Sequence, residues 1–161
     1  PDVQKKAQKS LDAVLEGGRL PDFIDLPDLL YLSAIINEVL RWHPVTPFAN
    51  YHASTEDDVY QGYRIPKGAI MIPDTRAILH DERIFGPDTD KFVPERFLNA
   101  DGSPRLDLLE VDLAFGFGKR YSFSSVMAKD TLWIMMASIL TAYTIADPFD
   151  MDGNPSLLKV I

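Results

Sequence analysis

Residues Phe115 to Ser124 read Phe-Gly-Phe-Gly-Lys-Arg-Tyr-Ser-Phe-Ser, in a chain of 161 residues with no cysteine. A glycine-rich loop beside basic residues is the kind of backbone that cradles a phosphate. This one has Gly116 and Gly118 but lacks the G-x-G-x-x-G spacing, no strand clearly leads into it, and G-x-x-x-x-G-K-[ST] is absent, so a nucleotide site is not expected. Glu38 and Arg41 lie three apart and share a face if their segment is helical. Glu16 and Arg19 have the same spacing, which shows how little such a pair says alone. Of the three histidines, His43 precedes a proline at a helix end and His80 falls at a helix-to-loop junction, so both read as structural. Glu56-Asp57-Asp58, Asp88 and Asp90 read as solvated turns without a Ca²⁺ ligand set, and nothing has the arrangement of a Ser-His-Asp triad.

The elements that must position these residues follow from periodicity and punctuation. Val3, Ala7, Leu11, Val14 and Leu15 recur at helical spacing, and Gly17-Gly18 closes that segment. Pro21 to Asp28 reads as a connector, with Asp28 as N-cap of a helix from Leu29 to Trp42 that His43-Pro44 ends. Val59 to Ile72 carries the β signal: Val59-Tyr60, a Gln61-Gly62 turn, Tyr63 to Ile65, a Pro66-Lys67-Gly68 turn, then a strand within Ala69 to Ile72. Asp74 to His80 predicts a short helix. Asp81 to Pro104, rich in Pro, Gly and Asp, predicts ordered but irregular chain anchored by Phe85, Phe92, Phe97 and Leu98. Ser124 or Ser125 caps a final helix to about Ala142, with Val126, Trp133, Met136 and Leu140 on one face.

Composition sets outer limits. The net charge of −8 argues against phosphate backbones or anionic membranes as partners, so no nucleic acid is expected. A hydrophobic fraction of 46% with 25% charged residues is that of a folded domain. Without cysteine there is neither a disulfide framework nor a thiolate metal site. The start, Pro1 to Ser10, is polar and charged and does not read as a signal peptide. The longest apolar stretch, Leu132 to Ala146, is too short and too interrupted by Ser138, Thr141 and Thr144 to span a membrane, and reads as a buried helix.

Phe115, Gly118 and Arg120 match the haem-binding loop pattern F-x-x-G-x-R-x-C-x-G, and the chain resembles the cytochrome P-450 monooxygenases. The likeness extends through Glu38-x-x-Arg41, Trp42-His43-Pro44, Thr55 to Asp58, Tyr63 to Gly68, Ile78 to Asp81 and Pro94-Glu95-Arg96-Phe97, in the family's order. It covers nearly the whole chain and corresponds to the C-terminal third of a full-length member, with a fungal origin suggested by overall similarity. The implied fold is mixed α and β, mainly α: helices, a small antiparallel sheet, an irregular meander loop, the glycine-rich haem loop and a long final helix. Residues 1–161 would form one partial cytochrome P-450 domain, truncated at both ends. The resemblance implies that Glu38, Arg41 and Arg96 form a buried charge network. It places cofactor binding at Phe115, Gly118, Arg120 and Ser122, and puts the family's axial metal ligand at Ser122.

Three departures cluster where haem would sit. Ser122 stands in place of the cysteine whose thiolate favours O–O cleavage; a serine hydroxyl is neutral near pH 7 and a poor donor to ferrous iron. Ser124 replaces a glycine, which tolerates a positive φ more easily, and Phe123 stands where proline is frequent. Ala53 stands where an arginine often binds a haem propionate, leaving Arg120 as the propionate partner; His52 is the histidine nearest that region. In the family, haem is the cofactor and a redox partner reductase delivers electrons near Lys119, Arg120 and Lys129. The oxygen-activating helix, most substrate loops and the membrane anchor of eukaryotic members lie N-terminal to this region. The expectation is therefore a monooxygenase segment inactive as this chain, with an exposed apolar patch larger than is usual on monomers. The alternative is a non-catalytic binding fragment without haem, holding a hydrophobic partner through its apolar faces. Endoplasmic reticulum membrane would be the location only for a chain derived from a full-length eukaryotic member.

Overall fold

In the computed structural model the described residues are 2–146. Helix α1 (Asp2–Leu15) buries Ala7, Leu11 and Leu15, one residue per turn. It stops because Glu16 and Gly17 take φ of 50° and 70°, and the Gly18 N–H returns to the Leu15 carbonyl. The predicted connector is a 3₁₀ turn (Phe23–Asp28). Asp22 and Asp25 cap it reciprocally, each side chain accepting from the backbone at the other end. Asp28 is therefore the last residue of that turn and not the cap of the next helix. Helix α2 (Leu30–Trp42) starts at Leu29 without a side-chain cap.

Helix α2 is the centre of the fold. Leu32, Ala34, Ile35, Ile36, Glu38, Leu40 and Arg41 are buried, so it is enclosed on more than one side. α1 and the final helix α5 (Ser125–Ala142) pack on it and on each other. α5 buries Trp133, Ala137 and Leu140. Val126, expected on that face, is 66% exposed, while its neighbour Ser125 is buried at 2%, so at this end of α5 the covered side has turned away from Val126. The helix is apolar on more than its core side: Met127, Leu132, Met135 and Ile139 are also exposed. The ends of α1 and α5 are tied by amides. Gln8 Nε2 donates to the Leu140 and Tyr143 carbonyls at 3.2 and 3.1 Å. Gln4 donates to the Ile145 carbonyl at 3.0 Å and accepts from its N–H at 3.1 Å.

The β region forms two ladders where one small sheet was expected. β2 (Asp58–Tyr60) and β3 (Tyr63–Ile65) make a hairpin in register Asp58–Ile65, Val59–Arg64 and Tyr60–Tyr63. Its turn residues, Gln61 and Gly62, both have positive φ, as a right-twisted hairpin requires. β4 (Ile70–Met71) pairs upstream with β1 (His52–Ala53). Ser54 joins the two by donating its hydroxyl to the Pro66 carbonyl at 2.7 Å. Helix α3 (Thr75–Leu79) is capped by the Asp74 carboxylate, and α4 (Glu82–Phe85) by Asp81. The irregular stretch that follows is ordered by Phe85 and Phe97, both buried, with Phe92 and Leu98 packed against the same core.

Candidate functional site

The irregular stretch keeps its shape because it is bolted to α2. Glu38 and Arg41 are fully buried and form a two-pronged pair, Arg41 Nε to Oε2 at 2.7 Å and Nη2 to Oε1 at 2.9 Å. The Val93 N–H donates to Glu38 Oε1 at 2.7 Å, and Arg96 Nε reaches the same carboxylate at 3.1–3.2 Å. The remaining guanidinium donors go to backbone: Arg41 to the Leu79 and Lys91 carbonyls, Arg96 to those of Phe85, Asp88 and Lys91. Two arginines around one carboxylate leave a buried positive excess, and this ring of carbonyls offsets it. The implied network of Glu38, Arg41 and Arg96 is thus present, and it holds α3, α4 and the 3₁₀ turn Pro94–Phe97 against α2.

Next, Leu108 and Val111 enter the core, and a 3₁₀ segment (Leu109–Phe115) runs to the glycine-rich loop. Gly116 has φ 110° and ψ −172°, a conformation almost confined to glycine. Gly118 has φ 53° and opens a short turn that Arg120 closes. The Ser122 N–H donates to the Phe115 carbonyl at 3.0 Å, and the Ser125 N–H to the Ser122 carbonyl at 3.1 Å, so the loop returns on itself and passes into α5. Ser124 has φ −78° and ψ 0°. The expected strain of serine at that position is absent, because the backbone there is already right-handed and needs no glycine.

Phe115 and Ser122 line a cleft of 290 Å³ with Ala114, Gly116 and Phe117; its other wall is the segment before and within β1, namely Thr46, Ala49, Asn50 and His52. Gly118 and Arg120 belong to the same loop through its backbone. The Ser122 hydroxyl is hydrogen-bonded to that of Ser124 at 2.7 Å. His43 is exposed beside Trp42, whose ring packs on Phe92. His80 Nδ1 lies 3.0 Å from the Arg76 carbonyl, and burial pushes its pKa below the usual imidazole value. Neither imidazole lines the cleft. Among the described residues there is no cluster of three or more His, Asp or Glu able to hold a metal, and no helix is long and apolar enough to cross a membrane.

One arrangement was not legible in the sequence. Lys129 on α5 is ion-paired with Asp112, and its ammonium lies 5.9 Å from the centre of the Phe115 ring. It was expected near an electron-receiving surface; its partly exposed ammonium is also engaged by the segment that leads to the loop.

The cytochrome P450 family profile matches residues 1–159. The chain belongs to the cytochrome P450 family. It is 50% identical over 155 residues to the cytochrome P450 monooxygenase eriA of Hericium erinaceus, covering 96% of this chain and 29% of that protein. A cytochrome P450 monooxygenase of Armillaria gallica is 49% identical over 155 residues, covering 96% and 30%. Cytochrome P450 monooxygenase 98 of Postia placenta is 46% identical over 157 residues, with the same coverages of 96% and 30%. These relatives are fungal, and the chain spans about 30% of their length. A cytochrome P450 uses haem, held by a cysteine thiolate, and the family usually takes electrons from a reductase. The donor set of this cytochrome P450 chain does not fit that ligation: the chain has no cysteine, and the side chain that position 122 presents to the cleft is a hydroxyl engaged with Ser124.

Proposed function

We propose that this chain is the haem-loop segment of a fungal cytochrome P450 monooxygenase in which Ser122 takes the place of the axial cysteine, and that the chain by itself does not catalyse oxidation. Residues 1–161 act in this reading as one partial P450 domain. Phe115 and Gly118 shape the loop, Arg120 stands where the family's propionate partner would be, and Ser122 occupies the ligand position. The observation that carries the reading is the contrast within one fold. The buried Glu38–Arg41–Arg96 network is complete, while the glycine-rich loop offers an uncharged hydroxyl. A neutral oxygen does not supply the electron density by which the thiolate favours O–O cleavage. Oxygen-dependent oxidation and electron delivery by a reductase are therefore assigned to intact members of the family and not to this chain.

A haemin titration followed at the Soret band tests this, with Ser122→Cys in parallel. The expected result is no saturable one-to-one binding by the unchanged chain and binding by the cysteine variant. NADPH-dependent, substrate-coupled oxidation by the unchanged chain with a reductase would overturn the proposal.

A second reading, a non-catalytic fragment that holds a hydrophobic partner, is favoured by the exposed Met127, Leu132, Met135 and Ile139 on α5. Capture of a defined partner that Met135→Glu with Ile139→Glu abolishes would support it. Trp133→Ala does not test it, because Trp133 is 1% exposed and belongs to the core.

A further inference from the structure

We infer that Lys129 and Asp112 form a positioning pair that sets how the loop presents residue 122 to the cleft. The inference rests on the reading of position 122 as the ligand position of the loop.

Three contacts in series carry it. Lys129 lies in the second turn of α5, a helix fixed in place by Trp133 and Ala137 in the core. Its ammonium is shared between the Asp112 carboxylate and the face of the Phe115 ring, at 5.9 Å from the ring centre. The Phe115 carbonyl accepts the Ser122 N–H at 3.0 Å. Asp112 and Phe115 belong to one 3₁₀ segment, so a single cation grips that segment twice, just before the Gly116 hinge. Gly116 removes the steric reason for the loop to hold one orientation, and the grip upstream supplies a restraint in its place.

The pair is only partly solvated: the Lys129 and Asp112 side chains are 30% and 36% exposed. Lys129 is therefore screened less than the surface pair Arg64–Asp57, whose side chains are 74% and 57% exposed. Nothing here makes Lys129 a ligand or a proton donor; it acts through Phe115.

The absence of cysteine makes the test direct, because Ser122→Cys installs a single thiol in the whole chain. The reaction of that thiol with a small aromatic disulfide is followed against pH. The plateau reached once the thiolate is fully formed reports access to the loop, while the midpoint reports charge. Adding Lys129→Gln or Asp112→Asn is expected to raise the plateau rate about fivefold, the scale of one cation–π contact at a partly exposed site. Lys129→Arg, which keeps the charge and stacks on aromatic rings, is expected to restore protection. The control is Ser10→Cys, which puts the single thiol on α1 instead; its rate is expected not to change when Lys129→Gln is added.

An unchanged plateau in both Lys129→Gln and Asp112→Asn overturns the inference. So does an equal rise in the Ser10→Cys control, which would report general loosening. Haemin titration of the same proteins separates this from the functional reading. A Ser122→Cys chain whose thiol is protected through Lys129 but which takes up no haemin supports the positioning pair and overturns the cofactor assignment.

Discussion

The guanidinium of Arg41 and the hydroxyl of Ser122 occupy the two regions that a haem-thiolate protein needs, and they are committed to very different degrees. Arg41 is fully buried, has both prongs on Glu38, and also serves the carbonyls of Leu79 and Lys91. Ser122 is half-buried and its hydroxyl has one partner, an exposed neighbour two residues away. The first region is over-determined by contacts from α2, α3 and the 88–97 stretch; the second is held by its backbone and by a restraint at its edge. If Ser122 holds the ligand position, as proposed, the scaffold tolerates a change there, because the Ser122 hydroxyl has a single side-chain partner among the described residues.

The sharpest way to break this comparison is Arg41→Ala. The change leaves Arg96 as the cation beside Glu38, but it removes the two-pronged bond, strands the buried Leu79 carbonyl and empties the space of the guanidinium. Breaking such a buried pair costs about 3–5 kcal/mol, a large share of the ~5–15 kcal/mol typical of a native domain. Loss of a cooperative urea transition is the expected outcome; a cost below ~1 kcal/mol would place the network at the surface in solution. Trp133→Ala comes next, at about 3–5 kcal/mol by chemical denaturation, since it empties the space between α5 and the core. Trp133→Phe should cost far less, under ~1.5 kcal/mol. The buried indole N–H has no hydrogen-bond partner among the described residues, so its removal strands nothing.

A smaller effect is expected on acidification. The Arg19 side chain, together with the Asp22 N–H, holds the Asp25 carboxyl down to about 2 from 3.8. Its folded-state pKa is depressed, so its contribution is fully present above the unfolded value and is lost as pH falls through the folded one. The stability difference between the unchanged chain and Asp25→Asn should therefore shrink between roughly pH 4 and pH 2; a constant difference would remove the ion pair from solution. Smallest of all is Ser124→Gly. With φ −78° and no side-chain cap bond, its thermal midpoint should reflect only a few tenths of a kcal/mol, roughly the Ser-to-Gly difference at a helix start. A large gain would mean that the loop does need a glycine there.

What the sequence made legible follows from how local each cause is. Glu38, Arg41 and Arg96 were readable because two short motifs stood at a fitting separation, and the Gln61-Gly62 hairpin because positive φ has a residue signature. The β1–β4 pairing was not, since two-residue strands carry no periodicity and His52 meets Met71 across an intervening hairpin. Val126 was misplaced because the covered side at the start of α5 takes in Ser125 and not Val126, which spacing alone does not reveal. Ser124 was read through the conformational reputation of glycine, whereas its actual backbone is ordinary. Lys129 looked like a surface cation because its partner is 17 residues upstream, across a loop whose return depends on the Gly116 and Gly118 dihedrals.

The amides of Gln4 and Gln8 join α1 to the last turn of α5 and the chain just beyond it, across separations of 132 to 141 residues. During synthesis, α1 therefore leaves the ribosome shortly before α2 but long before α5, the second helix it packs on. At ~5–20 residues per second the interval is on the order of ten seconds. Through that time Ala7, Leu11 and Leu15 have no α5 to cover them, and an isolated fourteen-residue helix is marginal in water. Completion of this fold is thus a late, long-range event, and agents that shield a short amphipathic helix should raise its yield more than agents that speed local turns.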